Sequence, residues 1–204
     1  MKNMLKDAGI LFLITLISGL LLGLVYQVTK DPIAIQEENA RQAARSEGFQ
    51  DADHFEDSEG FTEEAAQAVL NDGGFAQQSI NEYAAAMDKD GNVMGYVITV
   101  TTHEGYGGDI KFTIGVREDG TLNGMSILSI SETPGLGMKA EEVLKPQFEG
   151  KKADSYVYTK DGASAADEID AITSATITTN AVTNGVNAGL YYFQTELKGG
   201  SGNE

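Results

Sequence analysis

Between Asp7 and Lys30 the chain runs for 22 residues, Ala8 to Thr29, without a charged side chain. As a helix such a run reaches about 33 Å, enough to cross the hydrocarbon core of a bilayer. Lys2 and Lys6 precede it and an acidic remainder follows. The excess of positive charge stays on the cytoplasmic side of a span. The expected arrangement is therefore a cytoplasmic N-terminus at 1–7, a single-pass transmembrane helix at 8–29, and everything after residue 30 on the extracellular or periplasmic side. A cleaved secretory signal also begins with charge and an apolar run, but it ends at a small-x-small site. Leu22-Gly23-Leu24-Val25-Tyr26 offers none, so the expectation is a retained anchor in the cell membrane.

What lies outside the span narrows the chemistry by exclusion. With 31 acidic against 14 basic residues the formal net charge is -17, so phosphate backbones would be repelled and nucleic acid is not an expected partner. The chain contains no cysteine and two histidines, His54 and His103. Thiol catalysis, cysteine-held zinc and protein-ligated iron–sulfur clusters are thereby excluded, and a Ser-His-Asp arrangement is poorly served. Redox chemistry in such a chain needs an organic cofactor; no catalytic side chain and no metal ligand is expected. The 24 glycines gather in short clusters between β-type runs.

Along the remainder, Ile33 to Phe49 is Ala-rich, polar and free of proline, which suits a helix continuing outward from the membrane. The acidic run Asp51 to Gly60 lacks the ligand spacing of a calcium loop and reads as a solvated loop. Thr62-Glu63-Glu64 predicts the capped start of a short helix through Leu70. This whole stretch, 30–80, is expected to form a helical stand-off and acidic region. From Glu82 the pattern turns to strands: 82–87, 93–102, 109–116 and 121–130, the first and last pairs joined by Asp-Gly turns and the middle pair by a loop, which predicts an antiparallel meander. Asp88-x-Asp90-Gly91 belongs to one of those turns. A short helix at 139–148 broken at Pro146, a strand at 155–160 and a final amphipathic helix complete an 81–204 domain. The stripe Val182, Val186, Leu190, Phe193 and Leu197 marks that last helix, with Thr178, Thr179 and Asn180 as its candidate caps. The fold class is α+β: one transmembrane helix, then an antiparallel sheet with packed helices.

Three loops call for a ligand. In Gly105-Tyr106-Gly107-Gly108 the glycines admit close approach to the backbone and Tyr106 can stack. In Glu132-Thr133-Pro134-Gly135-Leu136-Gly137 the Pro-Gly pair predicts a type II turn. The run from Asp170 to Thr179 is rich in hydroxyls, and capping accounts for Thr178 and Thr179 but not for Thr173, Ser174 and Thr176. These last lie where the amides and positive dipole end of a helix face outward, which favours an anion.

Taken together, these loops behind one N-terminal span resemble RnfG, the FMN-binding component of the Rnf ion-translocating electron-transport complex, and more distantly NqrC, its counterpart in the sodium-translocating NADH:quinone reductase. The Glu-Thr-Pro-Gly-Leu-Gly loop matches that family fully, and Asp170-x-x-Thr173-Ser174-Ala175-Thr176 matches with Ser174 where glycine is usual. The resemblance implies an FMN-binding domain whose FMN is covalently joined through a phosphoester to Thr176. The other cofactor-binding residues it implies are Thr173, Ser174, Ala175, Thr178, Thr179, Glu132, Thr133, Gly135, Leu136, Gly137, Tyr106, Gly107 and Gly108. It implies a flavin transferase using FAD for maturation, and integral-membrane and iron–sulfur subunits as partners in a ferredoxin:NAD oxidoreductase. An anchored extracellular flavin reductase and a flavin-free acidic scaffold are the rival readings.

Overall fold

The computed structural model describes residues 2–199. Met1 and residues 200–204, at the two ends of the expected cytoplasmic N-terminus and flavin domain, lie outside the described residues. The structure separates into two units, residues 1–41 and 42–204.

The first unit belongs to helix α1, Lys2–Gly48, which runs through Pro32. Its apolar stretch has a mean hydropathy of 2.6 and none of it is buried. Leu11, Phe12, Leu22 and their neighbours are exposed, an arrangement that lipid can satisfy and water cannot. The two threonine hydroxyls within this stretch turn inward: Thr15 and Thr29 donate to the carbonyls of Leu11 and Val25, four residues back, so they add no unpaired polar group to the helix surface.

In the second unit a five-stranded meander runs β1 (His54–Asp57), β2 (Gln78–Met87), β3 (Val93–Thr102), β4 (Ile110–Arg117) and β5 (Leu122–Ser129), every neighbouring pair antiparallel. The α+β expectation and the meander hold. Strand β3 occupies the expected residues, and Asp88 ties its hairpin turn by accepting from the amides of Asp90 and Asn92. Helix α2 (Glu63–Asp72) starts where expected, with Thr62 Oγ1 accepting from the Ala65 amide. Helix α5 (Thr176–Tyr192) crosses the sheet, and its last turns, Phe193–Leu197, wind as a π-helix. All five stripe residues of this final helix are buried. They join Ile98, Val100, Phe112 and Ile114 in the main core. Gly185 and Gly189 allow close packing there, against Phe112 and Ile114.

The other face of the sheet carries a smaller cluster of Phe49, Ala84, Ala86 and Val97. Here the end of α1 lies directly on the strands: a Cβ on Gly115 would meet the Gly48 carbonyl, and Asn123 donates to that same carbonyl. Arg45, buried, donates to Asp57 at 2.6 Å and pairs with Glu82 at 3.4 Å.

Several expectations are corrected. The acidic run is not all loop, because His54–Asp57 pairs with β2 as an edge strand. Phe55 packs on the smaller cluster and Asp57 meets Arg45, and charge is tolerated on an edge. Strand β2 begins at Gln78, four residues early. The helical segment before the last strands breaks at Leu144, between α3 (Ala140–Val143) and α4 (Lys145–Phe148). Pro146 sits in the first turn of α4, where its missing N–H costs nothing. The strand expected at 155–160 is β6, Val157–Thr159, and it pairs in parallel with an unforeseen β7, Glu168–Asp170. Finally, α5 starts at Thr176 after Ala175, so Thr178 and Thr179 are helical residues rather than caps.

Candidate functional site

Antiparallel topology collects the three loops at one end of the sheet. The 103–109 loop joins β3 to β4, and the chain leaving β5 at Ser129 sits beside Lys111 at the start of β4. The third loop leads into α5, and a buried carboxylate ties all three together. Glu132 accepts from the Gly107 amide at 3.1 Å through Oε1 and from the Thr178 hydroxyl at 3.0 Å through Oε2. The glycines around it make this possible. A Cβ on Gly137 would lie 2.5 Å from Thr178 Oγ1 and 2.7 Å from Glu132 Cβ, and one on Gly105 2.8 Å from Glu132 Oε1. Gly107 likewise makes room for the Ser131 carbonyl. Gly107 and Gly108 therefore shape the loop and do not themselves line the cleft.

The cleft left between these loops has a volume of about 530 Å³ and is lined by Tyr106, Glu132, Thr133, Leu136, Gly137 and the run 174–178. Its size lies within the range of cofactor sites. Tyr106, Leu136 and Ile177 are exposed apolar side chains on its walls, offering flat apolar contact to a ring. Gly135 does not line it; with φ 77° it forms the Pro134-Gly135 turn, closed by Leu136 N donating to Thr133 O at 3.1 Å. This matches the type II turn predicted for the loop.

The floor is the start of α5. Ala175 is its cap residue, with no side-chain hydrogen bond, and the first helical bond is Thr179 N to Ala175 O. The amides of Thr176, Ile177 and Thr178 precede that bond and so face outward as donors. Ser174, with φ 63°, is the one non-glycine residue with positive φ among the described residues. It allows the tight entry in which Ala175 N donates to Ile172 O. Thr179 is buried away from the cleft and braces this entry: its hydroxyl accepts from Ile172 N and donates to Ala175 O. Thr176 is half-buried, and its hydroxyl makes no hydrogen bond among the described residues. A second cleft of about 280 Å³, lined by Lys160, Ala171, Ile172, Thr173, Ser174 and Thr176, meets the first at Ser174 and Thr176. Thr173 faces this smaller cleft.

The structure thus gathers most of the expected residues around one opening and assigns Gly107, Gly108, Gly135 and Thr179 to its support. Four lining residues were missed: Ile177 in the larger cleft, and Lys160, Ala171 and Ile172 in the smaller. An exposed isoleucine among threonines carries no sequence signal, and Lys160 reaches the site only through the parallel β6–β7 pair.

This assembly is that of a flavin-type binding domain, and likeness to known proteins bears on it directly. The FMN-binding domain family matches residues 105–191, which takes in all three loops, and the RnfG N-terminal region family matches residues 1–47. The G subunit of the Na(+)-translocating ferredoxin:NAD(+) oxidoreductase complex of Acetobacterium woodii is 31% identical over 95% of this chain and 93% of its own. The G subunit of the proton-translocating complex of Clostridium ljungdahlii is 32% identical over 89% and 90%. The solved structure of Shewanella oneidensis NqrC aligns with 56% of this chain and 58% of its own, at 22% identity and a TM-score of 0.46. The chain belongs to the RnfG family of ion-translocating oxidoreductase complexes, and it is a membrane-anchored flavoprotein of that kind. The residues present fit FMN: an apolar-walled cleft, outward amides at a helix start, and a free hydroxyl between them.

Proposed function

We propose that the chain is the flavin-carrying subunit of an ion-translocating ferredoxin:NAD oxidoreductase complex, holding FMN through a phosphoester on Thr176. The observation that carries this reading is the Thr176 hydroxyl, half-buried and unengaged, at the uncapped first position of α5 and on the wall of both clefts. Bound FMN supplies one- and two-electron chemistry. Everything else falls to the chain. Tyr106, Leu136 and Ile177 offer the ring an apolar face, with Thr133, Ser174 and Ala175 completing the wall and Gly137 letting Thr178 approach Glu132. The amides of Thr176 to Thr178 face the phosphate, whose charge the helix dipole favours.

A threonine hydroxyl without a neighbouring base is a weak nucleophile, and neither histidine lines the cleft. Attachment therefore belongs to a separate transferase acting on FAD. The Thr176 Oγ–phosphorus bond forms, the pyrophosphate bond breaks, AMP leaves, and the hydroxyl proton passes to the transferase. We place residues 1–7 in the cytoplasm, the span at 8–29 and the flavin domain on the far side of the membrane. An uncharged single span offers no ion path, so ion transport and iron–sulfur sites belong to partner subunits. The isolated chain relays electrons without turnover of its own. The A. woodii and C. ljungdahlii relatives are named for different ions at near-equal identity to this chain, which supports placing the choice of ion elsewhere.

The test is mass analysis of the peptide spanning 170–180 from chain co-produced with a flavin transferase. The wild-type peptide carries the flavin phosphate on Thr176, and Thr176→Ala folds but stays colourless after denaturation. Modification at another threonine in that variant would overturn the assignment. Sustained turnover of an external acceptor by the purified protein would favour the flavin reductase reading.

A further inference from the structure

Strands β6 and β7 pair in parallel with Thr159 opposite Asp170, and Ala171 N donates to Thr159 O at 2.8 Å. Both strands end at the same edge, so Lys160, the residue after β6, is delivered beside the segment that follows β7. There it lines the 280 Å³ cleft with Thr173, Ser174 and Thr176. The two acidic groups of β7 are already engaged. Asp170 accepts from the Ala163 amide at 2.6 Å, and Glu168 accepts from the amides of Ser164 at 2.8 Å and Ala165 at 3.1 Å. Those bonds hold the Glu168 carboxyl below its usual pKa. Lys160 makes no ion pair within 4.0 Å among the described residues. Across Thr176, in the larger cleft, stands the buried Glu132 carboxylate. A phosphodiester on Thr176 would add negative charge beside it, in a chain whose net charge is already -17.

We propose that Lys160 is the cation that receives the phosphate on Thr176: the small cleft seats the phosphodiester and the large cleft seats the ring, on opposite sides of one residue. This rests on the assignment of FMN to Thr176. Lys160 is a positioning residue in two respects. It draws the phosphorus of the incoming FAD toward the Thr176 hydroxyl while the Oγ–phosphorus bond forms and AMP departs, and it holds the resulting anion afterwards.

The experiment co-produces full-length chain with a flavin transferase and follows intact mass and flavin per protein with time. Charge reversal in Lys160→Glu should slow loading about tenfold and Lys160→Met about threefold, while Lys160→Arg keeps the charge and stays near wild type. Lys160 is exposed, so the flavin-free variants should melt like wild type. The second readout is the rise in melting temperature on loading, measured at low salt after loading is driven to completion. That rise should shrink in Lys160→Met and be restored in Lys160→Arg. A wild-type chain without flavin on Thr176 would overturn both readings. A fully loaded wild type matched in rate and melting rise by Lys160→Glu would overturn this one alone. Slowed loading with an unchanged melting rise would confine Lys160 to recognition by the transferase and overturn its role in holding the anion.

Discussion

Two parts of the sheet unit use glycine to bring backbones together, with opposite results. At the seam under the end of α1, Gly115 and Gly124 let the Gly48 carbonyl settle onto the strands, and Phe49 closes the space beside it. At the loop end, Gly105, Gly107 and Gly137 crowd equally closely around Glu132 and its neighbours, yet a cleft of about 530 Å³ remains open beside them. The contact that closes the seam is backbone on backbone; at the loop end Gly105 and Gly107 also meet carbonyls, of Gly108 and Ser131, but Gly137 meets side chains, the Glu132 carboxylate arm and the Thr178 hydroxyl. Rigid backbone contact makes a joint. A carboxylate spanning two loops makes a frame that can stand around an opening.

The widest separation should appear between Gly115→Ala and Gly137→Ala. A methyl on Gly115 strikes a main-chain oxygen that cannot turn away, so we expect a loss of about 3 kcal/mol, at the upper end for overpacking. At Gly137 the obstructing atoms belong to side chains, Thr178 Oγ1 at 2.5 Å and Glu132 Cβ at 2.7 Å; the hydroxyl can turn but the Cβ moves only with its backbone, so we expect a smaller loss of about 2 kcal/mol. Flavin loading should order the other way, with folded Gly115→Ala loading normally and Gly137→Ala loading poorly. Denaturant melts set beside flavin content measure both, and equal loading in the two variants would erase the distinction between joint and frame.

Glu132→Ala sharpens the same comparison at the centre of the frame. It leaves the buried Thr178 hydroxyl and the amide of Gly107, an exposed loop residue, without their acceptor, a cost of about 2 kcal/mol that falls mainly on the hydroxyl. Glu132→Gln keeps one carbonyl acceptor and should lose about half of that. Faster amide exchange at Gly107 should accompany both. Protection unchanged at Gly107 in Glu132→Ala would mean that the loop is held by other contacts and that Glu132 is not its tie.

How much of this was legible in the sequence follows the range of the forces involved. Local signals read well: the uncharged run at 8–29, the Thr62 cap, β3 at 93–102 and the apolar stripe of α5 all depend on neighbours within a turn or a strand. The three loops were legible as glycine, proline and hydroxyl clusters. Their convergence on Glu132 was not, since it comes from strand order and a contact 46 residues long in sequence, from Thr178 to Glu132. The strand β1 is invisible for the same reason. His-Phe-Glu-Asp has no strand pattern of its own and is held by β2 and by Arg45. The cap of α5 misled because threonines at 178 and 179 look like caps, while the turn at Ser174 has already started the helix at Thr176.

That turn gives the smallest and most pointed expectation. Ser174 holds a left-handed backbone at φ 63° and makes no side-chain hydrogen bond among the described residues. A residue with a Cβ loses about 1 kcal/mol in that region, partly offset in any exchange to glycine by the latter's greater freedom when unfolded. Ser174→Gly should therefore stabilise the flavin-free protein by about 0.5 kcal/mol, and loading on Thr176 should persist. Thermal melts with and without flavin decide it. A gain in both states marks Ser174 as strain at the start of α5. A gain only without flavin, with loss once flavin is attached, would mean that the Ser174 hydroxyl binds the phosphate between the two clefts, and the frame would then include a side chain that does its work only when the cofactor is in place.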